Sequence, residues 1–371
     1  MHIIVSILSI PFKYSFSHAA ANRNNSSSVL VEIKRGRYVG FGEGCPRKYV
    51  TGETIHGAIS WIEHISNSLT GITTITNLRD WVLFNESEID QNPSAWCAVE
   101  TAFLDLIGKE SDQTVNELVE IKSNRANQKV TAVISDGSIN FVDSLINKCL
   151  DFGFTDFKIK LSSNIDKDLE KITLLKGNIG KNCSVRVDFN NAFLSTDINA
   201  FIQHLEKLNY NFSAIEEPFE PHAISAMIEI MKLFKIPIIL DESFTKIQDI
   251  EGINIHANFI PNIRISKMGG LLRTLSLIEL IKHNCGQFIL GSLVGETSIL
   301  SRLWLIVAGY YEQRIYASEG AYSTHLLEND ITEFPIIIEP PGVINVPEKV
   351  IQSPGLGIDI SSNMRKYLSR Y

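Results

Sequence analysis

The chain has 371 residues, 44% hydrophobic and 20% charged, which is ordinary globular composition and too long for one small core, so two structural units are expected. A net charge of −8, without any basic tract or interleaving of basic and aromatic residues, excludes a broad electrostatic case for nucleic acid and points to small-molecule partners. Cys45, Cys97, Cys149, Cys183 and Cys285 are scattered and never paired as C-x-x-C, which suits buried thiols in a reducing, cytoplasmic compartment better than a disulfide framework or a zinc site.

In "MHIIVSILSIPF", Ile3, Val5 and Ile7 alternate as in a strand, and "VLVEIK" (29–34) offers it a partner. The stretch lacks the basic start of a secretion signal, so a first strand is the reading. "FSHAAANRNNSSS" (16–28) reads as a polar surface loop. A Gly-rich turn, "YVGFGEG" (38–44), and a helical pattern, "SAWCAVETAFLDLIGK" (94–109), complete an α+β unit over residues 1–125. No apolar run approaches the length of a membrane span.

From residue 126 to 340 short apolar runs alternate with amphipathic helices. The runs are "VTAVIS" (130–135), "DFKIKL" (156–161), "SVRVDFN" (184–190), "FSAIEEP" (212–218), "IPIILDES" (236–243), "FIPNIRIS" (259–266), "QFILGSL" (287–293) and "RIYASEG" (314–320). Between them lie helices such as 195–208, with an apolar stripe of Ile198, Phe201, Ile202, Leu205 and Leu208 and Ser195 or Thr196 as its cap. Eight strand–helix alternations are what a parallel (β/α)8-type barrel requires. An open doubly wound sheet is the alternative, but no G-x-G-x-x-G or Walker loop supports it.

The charged residues nearest successive strand ends are Lys160, Asp188, Glu216, Asp241 and Lys267, spaced 28, 28, 25 and 26 residues apart. That period is one barrel repeat of about 30 residues, which places all five at the C-terminal mouth where barrel active sites form. Three acids on adjacent strands repel unless a cation holds them, and hard oxygen donors without a His/Cys cluster point to Mg²⁺ rather than zinc. Lys158 and Lys160 in "KIK" share one strand face. Their mutual repulsion, with a divalent cation nearby, is expected to favour a neutral amine at Lys160 as a catalytic base.

The ordered motifs "KIK", "DFN" (188–190), "IEEP" (215–218), "DES" (241–243), "SKMGG" (266–270) and "GSLVGETS" (291–298) resemble those of the enolase superfamily, in particular its muconate-lactonizing-enzyme subgroup, which includes dipeptide epimerases. The first unit, with "GFGEG" (40–44), "YVTGET" (49–54) and "NPSAWCAVETAFLDLIGK" (92–109), is similar to the family's capping domain. "VPEKVIQSPGLGI" (346–358), within the segment 341–371, is similar to the tail that returns to the cap. The resemblance implies that Asp188, Glu216 and Asp241 bind one Mg²⁺ per subunit, with Mn²⁺ able to replace it. It further implies that Lys160 and Lys267 are acid/base groups on opposite faces of a carboxylate substrate, and that Asn190 and Glu242 support the metal site. Such sites are the established example of a lysine base working with Mg²⁺ on an enediolate.

The expected activity is racemisation or epimerisation of N-substituted amino acids or dipeptides. Muconate-type cycloisomerisation, o-succinylbenzoate-forming dehydration and a catalytically silent binding barrel are the alternatives. Dipeptide epimerases typically carry Asp-x-Asp on the eighth strand, where this chain has "ASEG", leaving Glu319 as a single counter-charge for a substrate ammonium. His18, Arg23 and Arg47 in the cap loops, and Glu296 in "GSLVGETS", are the other candidate substrate contacts. The expected partners are a small-molecule carboxylate and further copies of the chain, with neither nucleic acid nor membrane.

Overall fold

The computed structural model describes residues 1–18, 21–122, 127–180, 182–249, 258–284, 286–320 and 325–370. Strand β1 (His2–Leu8) pairs antiparallel with β4 (Ser28–Arg35), Ile3 opposite Ile33 and Val5 opposite Val31, as the alternation of its apolar residues requires. β5 (Tyr38–Gly44) adds to β4, and β17 (Leu368–Arg370) adds to the free side of β1, so the C-terminal tail completes the sheet of the N-terminal unit.

The glycines of "YVGFGEG" explain how that sheet meets the helix Pro93–Ser111. A Cβ on Gly40, Gly42 or Gly44 would stand 2.1, 2.0 or 1.9 Å from the backbone carbonyl oxygens of Ala102, Ala98 and Ser94, so three alternate positions are left bare for the helix to lie flush against β5. The stretch is a strand rather than a turn.

The described residues within 16–28 are mostly strand rather than loop. β2 (Pro11–His18) and β3 (Ala21–Asn25) form an antiparallel hairpin in which Phe16 pairs with Arg23 and His18 with Ala21. Polar composition hides β3, whereas β2 carries the alternation Phe12, Tyr14 and Phe16, with Phe12 and Phe16 buried, most of which lies before residue 16.

The second unit is a barrel of eight parallel strands: β7 (Ala132–Ile134), β8 (Asp156–Lys160), β9 (Ser184–Asp188), β10 (Ile215–Glu216), β11 (Ile238–Leu240), β12 (Phe259–Ile263), β13 (Phe288–Leu290) and β14 (Ile315–Ser318). They neighbour one another in sequence order, and each lies inside one of the eight apolar runs. Between the first and the last, the Thr131 amide donates to the Ser318 carbonyl at 2.6 Å. Ala214, Ile239, Ile260, Ile289 and Ala317 form an apolar cluster separate from the main core, made of residues that alternate with the helix-facing ones and so fill the barrel below its mouth. β15 (Ile337–Glu339), β16 (Val343–Asn345) and β6 (Asn127–Lys129) make a small antiparallel sheet. The helix read as 195–208 begins at Ile198, and Asp197, not Ser195 or Thr196, caps it by accepting the Ala200 amide. Among the described residues no helix is long and apolar enough to cross a membrane.

Candidate active site

Strand alternation delivers the charged side chains to the barrel mouth. In β8, Phe157 and Ile159 are buried in the main core, while Lys158 and Lys160 turn inward and are also buried. Asp188 ends β9, Glu216 ends β10 and Asp241 follows β11, all buried. Beyond β12 come Arg264 and Lys267, and beyond β14 comes Glu319. Lys158, Lys160, Asn190, Asp241, Glu242, Arg264, Ser292 and Glu319 face one small cavity, about 50 Å³, and Phe16 and Tyr49 reach it from the N-terminal unit, so the β2/β3 hairpin stands over the mouth.

The two predicted catalytic lysines sit at opposite ends of the row of acids. Lys160 Nζ donates to Asp188 Oδ2 at 2.8 Å and to Asn190 Oδ1 at 2.6 Å, while the Asn190 amide donates to Asp188 Oδ1 at 2.9 Å. Lys267 Nζ donates to Asp241 Oδ1 at 2.7 Å, Asp241 O at 2.9 Å and Asn262 O at 2.8 Å. Burial lowers the Lys267 pKa, against the pull of Asp241. Lys158 departs from the expected role of pressing on Lys160. Its ammonium gives its shorter contacts to Glu319 at 2.7 Å and Glu216 at 3.1 Å, with Asp188 at 3.7 Å. Burial pushes the Lys158 pKa down, but these carboxylates outweigh it and hold the pKa above the usual lysine value.

Burial raises the Glu216 pKa to about 7 despite Lys158, and raises that of Glu242, beside Asp241, to about 8. Asp188 and Asp241 are pushed up by burial and pulled further down by their cations, Lys160 and Lys158 on the first and Arg264 and Lys267 on the second. Glu217 steadies the end of β11: Oε1 accepts the Asp241 and Ser243 amides, each at 2.7 Å, and Oε2 accepts the Ser243 hydroxyl at 2.9 Å. Its own backbone is left-handed, φ 36°, as the chain turns out of β10.

Three expected substrate contacts are committed elsewhere. Arg47 is fully buried, donating to the carbonyls of Ser27 (2.6 Å), Pro46 (2.8 Å) and Val294 (2.5 Å), so it ties the two units together away from the cavity wall. Glu296 is also buried, accepts the Leu293 amide at 2.7 Å and has its pKa raised to about 8 by that burial. Glu319 borders the cavity, but both its oxygens are held by cations, Lys158 at 2.7 Å and Arg186 at 3.3 Å. His18 belongs to β2, and its side chain lies outside the described residues. Arg23 stacks over Tyr49, 6.0 Å from the ring centroid. Arg264, Arg186 and Glu217 are site residues that the strand-end reading passed over. Arg186 and Arg264 carry the same signal as "KIK", a charge at an inward position of an apolar strand.

Among the described residues no three acids stand, as placed, close enough to close around one ion, because cations are threaded between them. The donor chemistry nevertheless fits Mg²⁺: three buried carboxylates end successive strands, Asp188 and Glu216 share Lys158, and Glu216 and Asp241 share Arg264. Beside them Glu242 Oε2 is buried without a hydrogen-bond partner.

A (β/α)8-type barrel with a row of carboxylates flanked by lysines at its C-terminal mouth, covered by an N-terminal α+β unit, defines an enzyme class. The family described as enolase C-terminal domain-like matches residues 142–364. The L-Ala-D/L-Glu epimerase of Francisella tularensis subsp. novicida is 30% identical over 283 residues, 75% of this chain and 78% of that protein. The crystal structure of the N-succinyl Arg/Lys racemase from Bacillus cereus superposes with a TM-score of 0.85 at 22% identity, covering 100% of this chain and 97% of that one. The dipeptide epimerase from Enterococcus faecalis, complexed with Mg and L-Leu-L-Tyr, gives 0.83 at 22% identity, over 96% and 98%. This chain belongs to the enolase superfamily, in the subgroup of muconate-lactonizing enzymes and dipeptide epimerases.

Proposed function

We propose that this chain is a magnesium-dependent racemase or epimerase of N-substituted amino acids or dipeptides, removing the proton α to a carboxylate on one face and returning one on the other. The observation that carries this reading is the pair of buried lysines at the two ends of one carboxylate row, Lys160 on Asp188 and Lys267 on Asp241. Relatives named as epimerases and racemases support it.

A divalent cation held by Asp188, Glu216 and Asp241 would supply positive charge against the negative charge that builds on the substrate carboxylate as its α-proton leaves. Lys160 Nζ, on the cavity wall, exchanges a proton with one face of the α-carbon, and Asn190 orients it. Lys267 Nζ serves the other face. Its three contacts go to Asp241 and Asn262, so delivering a proton to substrate requires one of them to be released, and burial, by lowering its pKa, favours its neutral form as a base. Phe16, Val133, Val294 and Leu326 give the cavity an apolar wall that excludes water.

The same reading places the chain in the cytoplasm, supported by free thiols at Cys45, Cys97, Cys149 and Cys183, and away from nucleic acid, supported by its net charge of −8. Incubation with acylated amino acids and dipeptides in deuterated water tests the reaction. Deuterium should enter the α-position in Mg²⁺ and not in EDTA. Exchange that ignores EDTA, or none across a panel extended to muconate and the succinylbenzoate precursor, would overturn it.

A further inference from the structure

The interior of the barrel is not apolar throughout. On the β10–β14 side it is filled by Ala214, Ile239, Ile260, Ile289 and Ala317. On the side where the first and last strands meet it holds Arg186, which is fully buried. A guanidinium there is costly unless paired. Its Nη2 alone makes the pairing, 2.9 Å from Thr131 Oγ1, 3.2 Å from Asp156 Oδ2 and 3.3 Å from Glu319 Oε1. One nitrogen on β9 thus touches residues beside β7, in β8 and beside β14.

Glu319 is fixed from every side. Its amide donates to Leu290 O at 2.9 Å, its carbonyl accepts Ser292 Oγ at 2.8 Å, Oε1 accepts Arg186, and Oε2 accepts Lys158 at 2.7 Å. Lys158 in turn stands 3.1 and 3.4 Å from the Glu216 oxygens and 3.7 Å from Asp188 Oδ2. Of the three carboxylates around this ammonium, Glu319 is the nearest, and it is the one outside the proposed metal-ligand row.

We propose that Glu319, anchored from beneath by Arg186, is a positioning residue that takes the shortest contact of the Lys158 ammonium and so limits its hold on Glu216 and Asp188, where it would compete with a divalent cation. The inference rests on the metal ligands assigned in the proposed function. Positive charge released onto Asp188 and Glu216 competes with a divalent ion at the same oxygens. Arg186 contributes by holding Glu319 where it can win Lys158, and since one nitrogen makes its contacts, a lysine can take over part of that hold.

Mn²⁺ binding to the full chain, followed by electron paramagnetic resonance titration, tests this without substrate. Glu319→Gln should weaken Mn²⁺ binding about tenfold, and Arg186→Met should do the same, with Arg186→Lys recovering much of the loss. The double variant Lys158→Met/Glu319→Gln should regain affinity at or above wild type, because the competing ammonium is gone. A residue that merely stabilises the barrel would not give that recovery. Unchanged Mn²⁺ affinity in Glu319→Gln, no recovery in the double variant, or a wild-type chain that takes up no Mn²⁺ would each overturn the proposal. Deuterium exchange on L-Ala-L-Glu and N-succinyl-L-arginine, run in parallel, separates the two readings. The predicted Mn²⁺ pattern with no exchange on these or any other carboxylate sinks the racemase assignment and leaves the role of Glu319 standing.

Discussion

Lys267 Nζ ties the residue that follows one barrel strand to the strand beside it, with two contacts to Asp241 at 2.7 and 2.9 Å and one to the Asn262 carbonyl in β12 at 2.8 Å. Lys160, at the far end of the acid row, instead shares Asp188 with Asn190 and borders the cavity. Two such lysines make a directional claim. Lys160→Met should abolish α-deuterium uptake from one enantiomer while exchange from the other survives, and Lys267→Met should do the reverse, each with a loss of roughly 10²–10⁴-fold on the affected face. Equal loss from both enantiomers in both variants, with fold and metal affinity intact, would point to a one-base reaction such as cycloisomerisation or dehydration.

Metal removal gives a second expectation. EDTA should abolish exchange, and Mg²⁺ or Mn²⁺ should restore it. Asp241→Asn removes a donor that also pairs with Arg264 and Lys267. It should therefore weaken metal binding strongly while also freeing two buried cations, so calorimetry should show lost Mg²⁺ heat together with a lowered unfolding midpoint. A variant that still binds Mg²⁺ like the wild type would remove Asp241 from the ligand set.

The barrel was legible because parallel strands are buried on both faces and read as apolar runs, and a charge inside such a run has few explanations. That is how "KIK" and the acids of β9, β10 and β11 could be placed at one mouth. The β2/β3 hairpin was not legible, since "ANRNN" carries no apolar alternation and its strand state comes from pairing with β2. Nor could the partners of Arg47, Glu296 and Glu319 be read. Each charge looked free for substrate; Arg47 and Glu319 are held by groups far away in sequence, Val294 at 247 residues and Lys158 at 161, whereas Glu296 is held locally by the Leu293 amide in a turn whose geometry is not written in its composition.

The glycines of β5 yield a stability prediction. A methyl at Gly42 would lie 2.0 Å from Ala98 O and 2.5 Å from Ala102 N, both backbone atoms of one helix that cannot move aside singly. Gly42→Ala should therefore cost about 3 kcal/mol of unfolding free energy in urea, at the upper end of ordinary overpacking. Gly71→Ala, where a Cβ would meet nothing within 4 Å, should cost far less. Comparable losses in the two variants would show that the strand and helix are not in the close contact described.

Stability should also depend on pH through carboxyls buried where the two units meet. Glu43 on β5 accepts the Thr297 amide at 3.0 Å and its hydroxyl at 2.6 Å at the start of the helix Ser298–Tyr311. Burial nevertheless raises its pKa to about 7, and raises that of Glu296 to about 8, from an ordinary value of 4.5. A carboxyl whose pKa is raised on folding binds its proton more tightly in the native state. Its stabilising contribution is complete below the unfolded pKa and is lost as pH climbs through the folded one. Each group can then remove at most about 1.4 kcal/mol per pH unit. Asp188, Asp241 and Glu319, which are held low, titrate below this window and do not offset it. Unfolding free energy measured in urea should thus fall between pH 5.5 and roughly pH 8.5, and Glu43→Gln and Glu296→Gln should each flatten the slope while retaining an acceptor oxygen for their donors. A wild-type curve that is level or rising across this interval, or a slope unchanged in both variants, would show that these carboxyls are already ionised in the folded chain.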